Sequence, residues 1–477
     1  MDSLRLYLVT WNVACKPPEQ NLSELLSLDE PEEKLPDFYV VGLQEVKAQI
    51  HNMVLDALFD DPWTIAFKQQ LIPKNYVKVK TVRLQGIILS IYCKRKHLLS
   101  VRDVEVQYTK TGFSGFWGNK GCVAIRMNVY GVSVCFVNTH LTAHDQNLFA
   151  RVQDYNNIIK QTNFSNQKET TLILYHDYVF WVGDHNFRLD ETVQHDDILD
   201  KIKINDLDEL RESDQLRMIM KSGQAFSELV EEPFDFPPTY KFIFNSSQYD
   251  AKRRPAWTDR ILYKVNTHAY ENLTLSAKMQ FYKCFSDYII SDHKPVAGKF
   301  IFKVFSNYSD RIIEFEPIKK WYIDEENTVT ITPGDDVLVS DWDWIGVYKA
   351  DYGALDEYLS FVYINSYRSA TPESASSPRP PEGTTITRHR LHRKEIKFPD
   401  GMVRTAGQYC LLYLTADSGS VLGISSPFEA TFKSEISDGR KLMSSSPRTE
   451  ERSPDRRSPR RSPVRTNSFH SSSTVKQ

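Results

Sequence analysis

Two short segments carry the residue types that could do chemistry. They are Gly183-Asp184-His185-Asn186-Phe187 and Ser291-Asp292-His293. The first follows the apolar run 178–182 and the second follows Ile289-Ile290, so acid, amide and imidazole arrive where a buried strand would end. Side chains placed there are held by a rigid scaffold and still face solvent. Four further segments share this placement. Asn12 ends the alternation Leu4, Leu6, Leu8, Gln44-Glu45 ends the run 39–43, and His140 ends the run 132–137. Trp257-Thr258-Asp259-Arg260 opens another apolar stretch. Any one of these would read as a turn or cap residue. Together, oxygen donors and imidazoles at successive strand ends point to hard-metal chemistry on a phosphate.

The elements that must position them follow from the pattern. Residues 4–305 alternate short strand-like runs with helical stretches at Leu22–Leu28, Met53–Phe59 and Leu148–Gln161. A β-sandwich flanked by helices fits that alternation. At 477 residues the chain exceeds one typical domain, so further parts are expected downstream.

Composition narrows the function classes. A formal net charge of -3 gives no field that would favour nucleic acid. The six cysteines are scattered, with no Cys-x-x-Cys pair, which argues against zinc and a disulfide framework and for a reducing compartment. The first residues lack a signal-peptide pattern, no apolar run approaches a membrane span, and the last four residues contain no cysteine for prenylation. Action at a membrane would then rely on protein or headgroup contacts.

The segments resemble those of the inositol polyphosphate 5-phosphatases, a branch of the endonuclease/exonuclease/phosphatase superfamily. The matching pieces are Thr10-Trp11-Asn12, Gln44-Glu45, Gly118-Asn119-Lys120-Gly121, Asn138-Thr139-His140-Leu141, the Gly-Asp-His-Asn-Phe-Arg run at 183–188, the Pro-Ala-Trp-Thr-Asp-Arg run at 255–260 and the Ser-Asp-His-Lys-Pro-Val run at 291–296. His185 departs from the pattern, because relatives usually carry an apolar or aromatic residue there. The resemblance implies a four-layer α/β/β/α sandwich over residues 1–305 and Mg²⁺ as cofactor. It implies Glu45 as metal ligand with Asn12 beside it, and Asp184 orienting and deprotonating a water, with Asn186 holding that water or the phosphate. His293 and His140 would donate to phosphoryl oxygens, Asp259 would keep His293 charged, and Asp292 would support the metal side. Tyr240, Lys241 and Arg253, with Lys252 standing in for a missing basic residue at Ala251, would grip the phosphate beside the scissile one. Asn119 and Lys120 would contact the phosphate joining inositol to glycerol, and Phe113, Phe116 and Trp117 would dip into the bilayer interface. Arg188 reads equally as an ion-pair partner or a ligand, and His144 as a residue that shapes its loop.

Residues 306–318 read as a linker and 319–433 as a strand-rich second domain punctuated by Gly, Asp and Ser. The runs 342–348, 407–413 and 423–428 resemble the SKICH domain, an immunoglobulin-like β-sandwich. That pairing occurs in the skeletal-muscle-and-kidney-enriched and proline-rich inositol phosphatases, where SKICH directs the enzyme to membranes. Residues 369–399, Pro/Ser-rich and then basic, read as an inserted loop that is either solvated or in contact with anionic lipid. Residues 434–477, rich in Arg, Ser and Pro, read as a disordered tail with proline-directed phosphorylation sites at Ser453, Ser458 and Ser462.

The leading expectation is a phosphoinositide 5-phosphatase acting on phosphatidylinositol 4,5-bisphosphate and/or the 3,4,5-trisphosphate. It would be a cytoplasmic monomer, peripheral at the plasma membrane and/or endoplasmic reticulum, with protein partners recruited through SKICH and the tail and no nucleic-acid partner. A catalytically silent SKICH scaffold and a nuclease of the same superfamily are the alternatives. The complete acid, amide and imidazole set argues against the first, and the acidic charge and the Tyr240-Lys241 segment against the second.

Overall fold

The computed structural model describes residues 1–47, 61–112, 117–164, 172–306, 308, 312–365, 369–370, 378 and 384–433. The tail, the expected helix at 53–59 and the side chains of Phe113, Phe116 and Trp117 lie outside them. The first part holds β1 (Asp2–Asn12), β2 (Phe38–Gln44), α1 (Pro62–Leu71), β3 (Tyr76–Leu84), β4 (Ile87–Lys94), β5 (Val101–Gly112), β6 (Trp117–Val129) and β7 (Val132–His140). It continues with α2 (Leu148–Gln161), β8 (Tyr178–Asp184), α3 (His195–Lys203), α4 (Asp208–Glu212), α5 (Gln215–Ser222), β9 (Asp259–Val265), β10 (Ala277–Cys284) and β11 (Val296–Val304).

These strands form two sheets, ordered β10-β11-β1-β2-β4-β3 and β5-β6-β7-β8-β9. Their inner faces share one core, in which Leu4, Leu6, Leu8 and Ile91 join Val123, Ile125, Phe136 and Phe180. The alternation of each strand puts its other residues outward. Tyr7, Val9 and Val41 pack with Trp63, Phe67 and Leu71 of α1, while Val137, Val179 and Trp181 pack with Tyr155 and Ile158 of α2 and Leu216 of α5. The result is the four-layer α/β/β/α sandwich.

Two expectations are corrected here. Residues 22–28 form successive turns, not a helix, because Leu26 N–H reaches Leu22 O but Ser27 turns to φ +50 and ends the run. The region from 313 on is all-β, and it takes in more of the chain than expected. Its strands are β12 (Ile313–Phe315), β13 (Trp321–Tyr322), β14 (Asn327–Pro333), β15 (Leu338–Val339), β16 (Trp344–Lys349), β17 (Ser360–Tyr363), β18 (Ser369–Ala370), β19 (His389–Arg390), β20 (Lys394–Phe398), β21 (Gly407–Leu414), β22 (Val421–Ile424) and β23 (Phe428–Thr431). The supposed linker supplies β12, and the supposed insertion supplies β20, both of which pair with β14. Ile396 and Phe398 of β20 are buried, and Phe398 meets the Trp321 ring. The basic run just ahead hid this short alternation from the sequence.

This β-region packs directly on the first part. Lys78 N–H donates to Gly353 O at 2.8 Å, Leu355 N–H donates back to Lys78 O at 3.1 Å, and the Arg95 guanidinium lies 4.0 Å over the Tyr352 ring. Tyr348, Tyr352 and Leu412 belong to the same buried cluster as Val77 and Cys93, so one apolar core crosses the junction.

Candidate active site

Strand register gathers the chemistry at one end of the sandwich. Asn12 at the end of β1 stands opposite Gln44 of parallel β2, which places Glu45 next in line. In the other sheet His140 of β7 pairs with Asp184 of β8, and Asp184 pairs with Asp259 at the start of β9. Thr10 faces Val296 of β11, so the preceding loop delivers Asp292 and His293 to the same place. Gly183 makes the β7–β8 approach possible. At φ +149, a Cβ there would sit 2.2 Å from Thr139 O.

Asp184 is the hub. Its Oδ2 accepts from Asn12 Nδ2 at 2.9 Å and lies 3.4 Å from His140 Nε2 and 3.9 Å from His293 Nε2, while Oδ1 accepts from Asn186 N–H at 3.0 Å. Burial would raise its pKa, but the charges of His293 and Lys120 and the His140 contact outweigh that and hold the carboxyl well below the usual range. His293 donates from Nδ1 to Asp259 Oδ2 at 2.9 Å, and that oxygen also accepts from Thr239 Oγ1 at 2.7 Å and Thr258 Oγ1 at 2.8 Å. Burial alone would depress the imidazole. Asp259 and Asp184 overcome it and raise the pKa to about 10, so His293 is an imidazolium at neutral pH. His140 is the opposite case: burial and then the Lys120 ammonium push it down, so it is neutral.

Asp184, His293, His140 and Lys120 line a cleft of about 260 Å³ that also includes Glu45, Asn186, Arg188, Tyr240, Lys241, Arg253 and Asp292. Glu45 is the one carboxylate among them held on a backbone of φ +55, a conformation costly for a side chain of its size, and it remains 43% exposed to the cleft. A half-solvated carboxylate beside the buried Asp184 suits a hard divalent cation that keeps several waters. Asp184, Asp259 and His293 also approach one another closely enough to hold an ion. His293, however, is protonated and spends Nδ1 on Asp259, so it has no lone pair to give, and Glu45 is the better ligand.

The structure departs from the expected roles at several positions. Asn12 donates its amide nitrogen to Glu45 (3.1 Å) and Asp184, and its oxygen accepts from Ala14 N–H at 3.0 Å, so it bridges two carboxylates. Asn186 donates its amide to Leu141 O at 3.1 Å, accepts from the Arg188 guanidinium at 2.6 Å and braces Asp184 through its backbone N–H, and it lines the cleft. Asp292 pairs with Lys241 at 3.0 Å, which joins it to the basic wall of the cleft. Lys120 contacts His140 inside the catalytic cluster, whereas Asn119 is exposed outside the cleft wall. Lys252 points to solvent, and Arg253 is the member of that pair that lines the cleft. Sequence reasoning missed Thr239 and Thr258, whose hydroxyls fix Asp259. It also missed Arg254, which holds Asp145 at 3.0 Å beside the cleft. Thr258 sat within a quoted motif; hydroxyls near a buried carboxylate are the signal that could have found it.

His185 explains its own irregularity. It is fully buried against the Phe226 ring, 5.3 Å between centroids, and neither ring nitrogen has a hydrogen-bond partner among the described residues. Burial and then the Arg260 charge depress its pKa to about 3. An unfolded chain takes up a proton near pH 6.5 that the native state refuses, so stability falls as pH drops below that point, by about 1.4 kcal/mol per unit. His185→Phe should gain about 1–3 kcal/mol near neutral pH by removing unpaired polar atoms. Urea denaturation should show that advantage growing by about 1.4 kcal/mol for each pH unit further into acid.

The comparisons decide the family. The model for the Endonuclease/Exonuclease/phosphatase family 2 matches residues 9–299, and the SKICH domain model matches 313–430. The mouse inositol polyphosphate 5-phosphatase K is 34% identical over 91% of this chain and 91% of its own length. The chain belongs to the SKICH-containing inositol polyphosphate 5-phosphatases. Within that family the mouse phosphatidylinositol 4,5-bisphosphate 5-phosphatase A is 33% identical over 89% of this chain, which spans 41% of that longer relative. Among solved structures, the 5-phosphatase domain of a synaptojanin in complex with inositol (1,4)-bisphosphate and calcium is 31% identical, with a TM-score of 0.53, covering 64% of this chain and 86% of that one. A Cimex nitrophorin in a ferrous NO complex is 25% identical with a TM-score of 0.52 over 63% of this chain and 99% of that one. The sandwich thus hosts unrelated chemistry, and the activity of this 5-phosphatase family member must be argued from its side chains. Among the described residues, no helix is long and apolar enough to cross a membrane.

Proposed function

We propose that this chain is a Mg²⁺-dependent phosphoinositide 5-phosphatase that removes the 5-phosphate of phosphatidylinositol 4,5-bisphosphate and/or the 3,4,5-trisphosphate at cytoplasmic membrane faces. The observation that carries the reading is one cleft in which Asp184 lies between a charged and a neutral imidazole, beside half-exposed Glu45, while Tyr240, Lys241 and Arg253 form a basic wall. The cleft can take two phosphates at once, one at the carboxylate–imidazole centre and one on the basic wall.

Asp184 orients the attacking water and takes its proton as the new P–O bond forms. The bond between phosphorus and the inositol 5-oxygen breaks in the same displacement, and that oxygen leaves with its electron pair and is protonated to the free hydroxyl, solvent returning the proton that Asp184 took. His293, kept charged by Asp259, donates from Nε2 to the phosphoryl oxygens, and Lys120 adds charge beside His140. Lys241 and Arg253 bind the neighbouring phosphate, with Asp292 fixing Lys241 and the Arg188 guanidinium, 4.4 Å over the Tyr240 ring, fixing Tyr240. Glu45 would hold the Mg²⁺, which when bound neutralises charge on the transferring group. Protein partners of the SKICH region and the tail belong to the same proposal, as does a monomeric state.

The test is phosphate release from phosphatidylinositol 4,5-bisphosphate and 3,4,5-trisphosphate vesicles with Mg²⁺ and with EDTA. Loss of only the 5-phosphate, abolished by EDTA, is the expected result. No release from either lipid by folded, Mg²⁺-loaded protein would sink the reading.

A further inference from the structure

A substrate whose headgroup is anchored in a bilayer forces the cleft mouth against that bilayer. The expected contact at 113–117 lies outside the described side chains, so the question is what else rims the mouth. Ile243 and Phe244 are 47% and 43% exposed, and among the described residues they form the one consecutive pair of exposed large apolar side chains. Single exposed apolar residues are ordinary; two in succession on a tip otherwise made of Asn245, Ser246, Ser247 and Gln248 are not required by turn chemistry.

Their position is fixed by the hairpin that carries them. It starts directly after cleft-lining Lys241 and closes where Phe242 pairs with Tyr249, their rings stacked 4.3 Å apart. Ile243 N–H donates to Gln248 O at 2.9 Å across the turn. Phe242 N–H donates to Asp292 O at 2.9 Å and Asn245 N–H to Ile289 O at 2.7 Å, which ties the hairpin to the loop carrying His293. From the other side of the mouth, the Lys16 ammonium lies 4.7 Å from the Phe244 ring, and the turn bearing Lys16 is held where Cys15 N–H donates to Glu45 O at 2.8 Å. The tip therefore stands between the basic wall and the proposed metal ligand. Lys241, Lys252 and Arg253 flank it against Asp250 and against Asp292, which pairs with Lys241 at 3.0 Å, and the Lys294 ammonium lies 4.6 Å from the Phe242 ring, so with Lys16 the cations around the tip outnumber the carboxylates.

We propose that Ile243 and Phe244, with Lys16, form an interfacial wedge that seats the cleft mouth on an anionic bilayer. The inference rests on the phosphoinositide reading of the cleft. Aromatic and aliphatic side chains settle at the headgroup–acyl boundary, and the surrounding cations are drawn to anionic lipid, so the tip both anchors and orients the opening. The occupant is the lipid surface itself, not the headgroup in the cleft.

The test uses the full chain and the double variant Ile243→Ser/Phe244→Ser. Co-sedimentation with phosphatidylcholine/phosphatidylserine vesicles lacking phosphoinositide should weaken by about tenfold in the variant, and hydrolysis of phosphatidylinositol 4,5-bisphosphate in such vesicles should fall in step. Hydrolysis of the dioctanoyl lipid, dispersed below its micelle concentration, should stay at the wild-type rate, which also certifies the variant's fold. Undiminished vesicle binding, as a protein-docking tip would give, overturns the wedge. So does an equal loss on dispersed and vesicular substrate. Wild-type protein that binds vesicles through this tip but releases no phosphate would leave the wedge standing and remove the catalytic reading instead.

Discussion

Asp184→Asn should lower turnover of phosphatidylinositol 4,5-bisphosphate by at least about 10²–10⁴-fold, the range for losing a positioned base. The substitution keeps shape and volume, so the acceptor for Asn186 N–H survives and the β7–β8 end stays closed. What it removes is charge. Asp184 is the buried anion within 3.4 Å of His140 and 3.9 Å of His293, and it contributes to holding the His293 imidazole at about 10. Without it His293 is held charged by Asp259 and, more weakly, Asp292, its pKa falls, and the alkaline limb of the pH–rate profile should move to lower pH. Lys120 also loses a counter-charge. Phosphate release across the pH range, beside a thermal melt, checks all three points. A fold-intact variant with wild-type turnover would remove Asp184 from the mechanism.

Arg260→Met should cost about 3–5 kcal/mol of stability, the largest effect expected away from the cleft. Arg260 is fully buried. It donates from Nη1 to Asp214 Oδ2 at 2.6 Å and from Nε to Glu231 Oε1 at 2.7 Å, with a second contact to Glu231. Its loss strands two carboxylates, of which Asp214 is fully buried and also caps α5 by accepting from Leu216 N–H at 3.3 Å. Glu231 additionally accepts from the Tyr282 hydroxyl of β10 at 3.0 Å, so the ion pairs tie the two sheets and α5 together. Lysine would not restore this, because a single ammonium cannot reproduce the guanidinium fork. Denaturant unfolding should show the loss for Arg260→Lys as well as Arg260→Met, with turnover falling only as the folded fraction does. An Arg260→Met protein as stable as wild type would mean the network is dispensable.

The strands of the sandwich were legible because each buries one or both faces, and the side-chain period shows in runs such as 4–8 and 178–182. The short elements were not. Residues 22–28 have helical spacing and Asn21 accepts from Ser23 N–H at 2.9 Å, but Ser27 turns left-handed and ends the run, and β20 has only two buried side chains within a basic run. The motif residues were found because their types match a chemistry, and the resemblance put them in order.

Roles within the cleft were a different matter. Residue identity and strand-end position pointed to Asp184, His293 and Glu45 before any coordinates, and the family resemblance added Lys241 to the same site. Hydrogen-bond direction and charge are properties of neighbours far away in the chain. Asn12 turns its nitrogen to Glu45 and Asp184, which lie 33 and 172 residues away. Asp292 is taken by Lys241, Asn186 by Arg188, and the two imidazoles receive opposite charge states because Asp259 faces one and Lys120 the other. Those choices depend on distances of a few ångströms and on how much water each group has lost. The sequence names the groups that can react, and only the packed sheets decide which oxygen meets which proton.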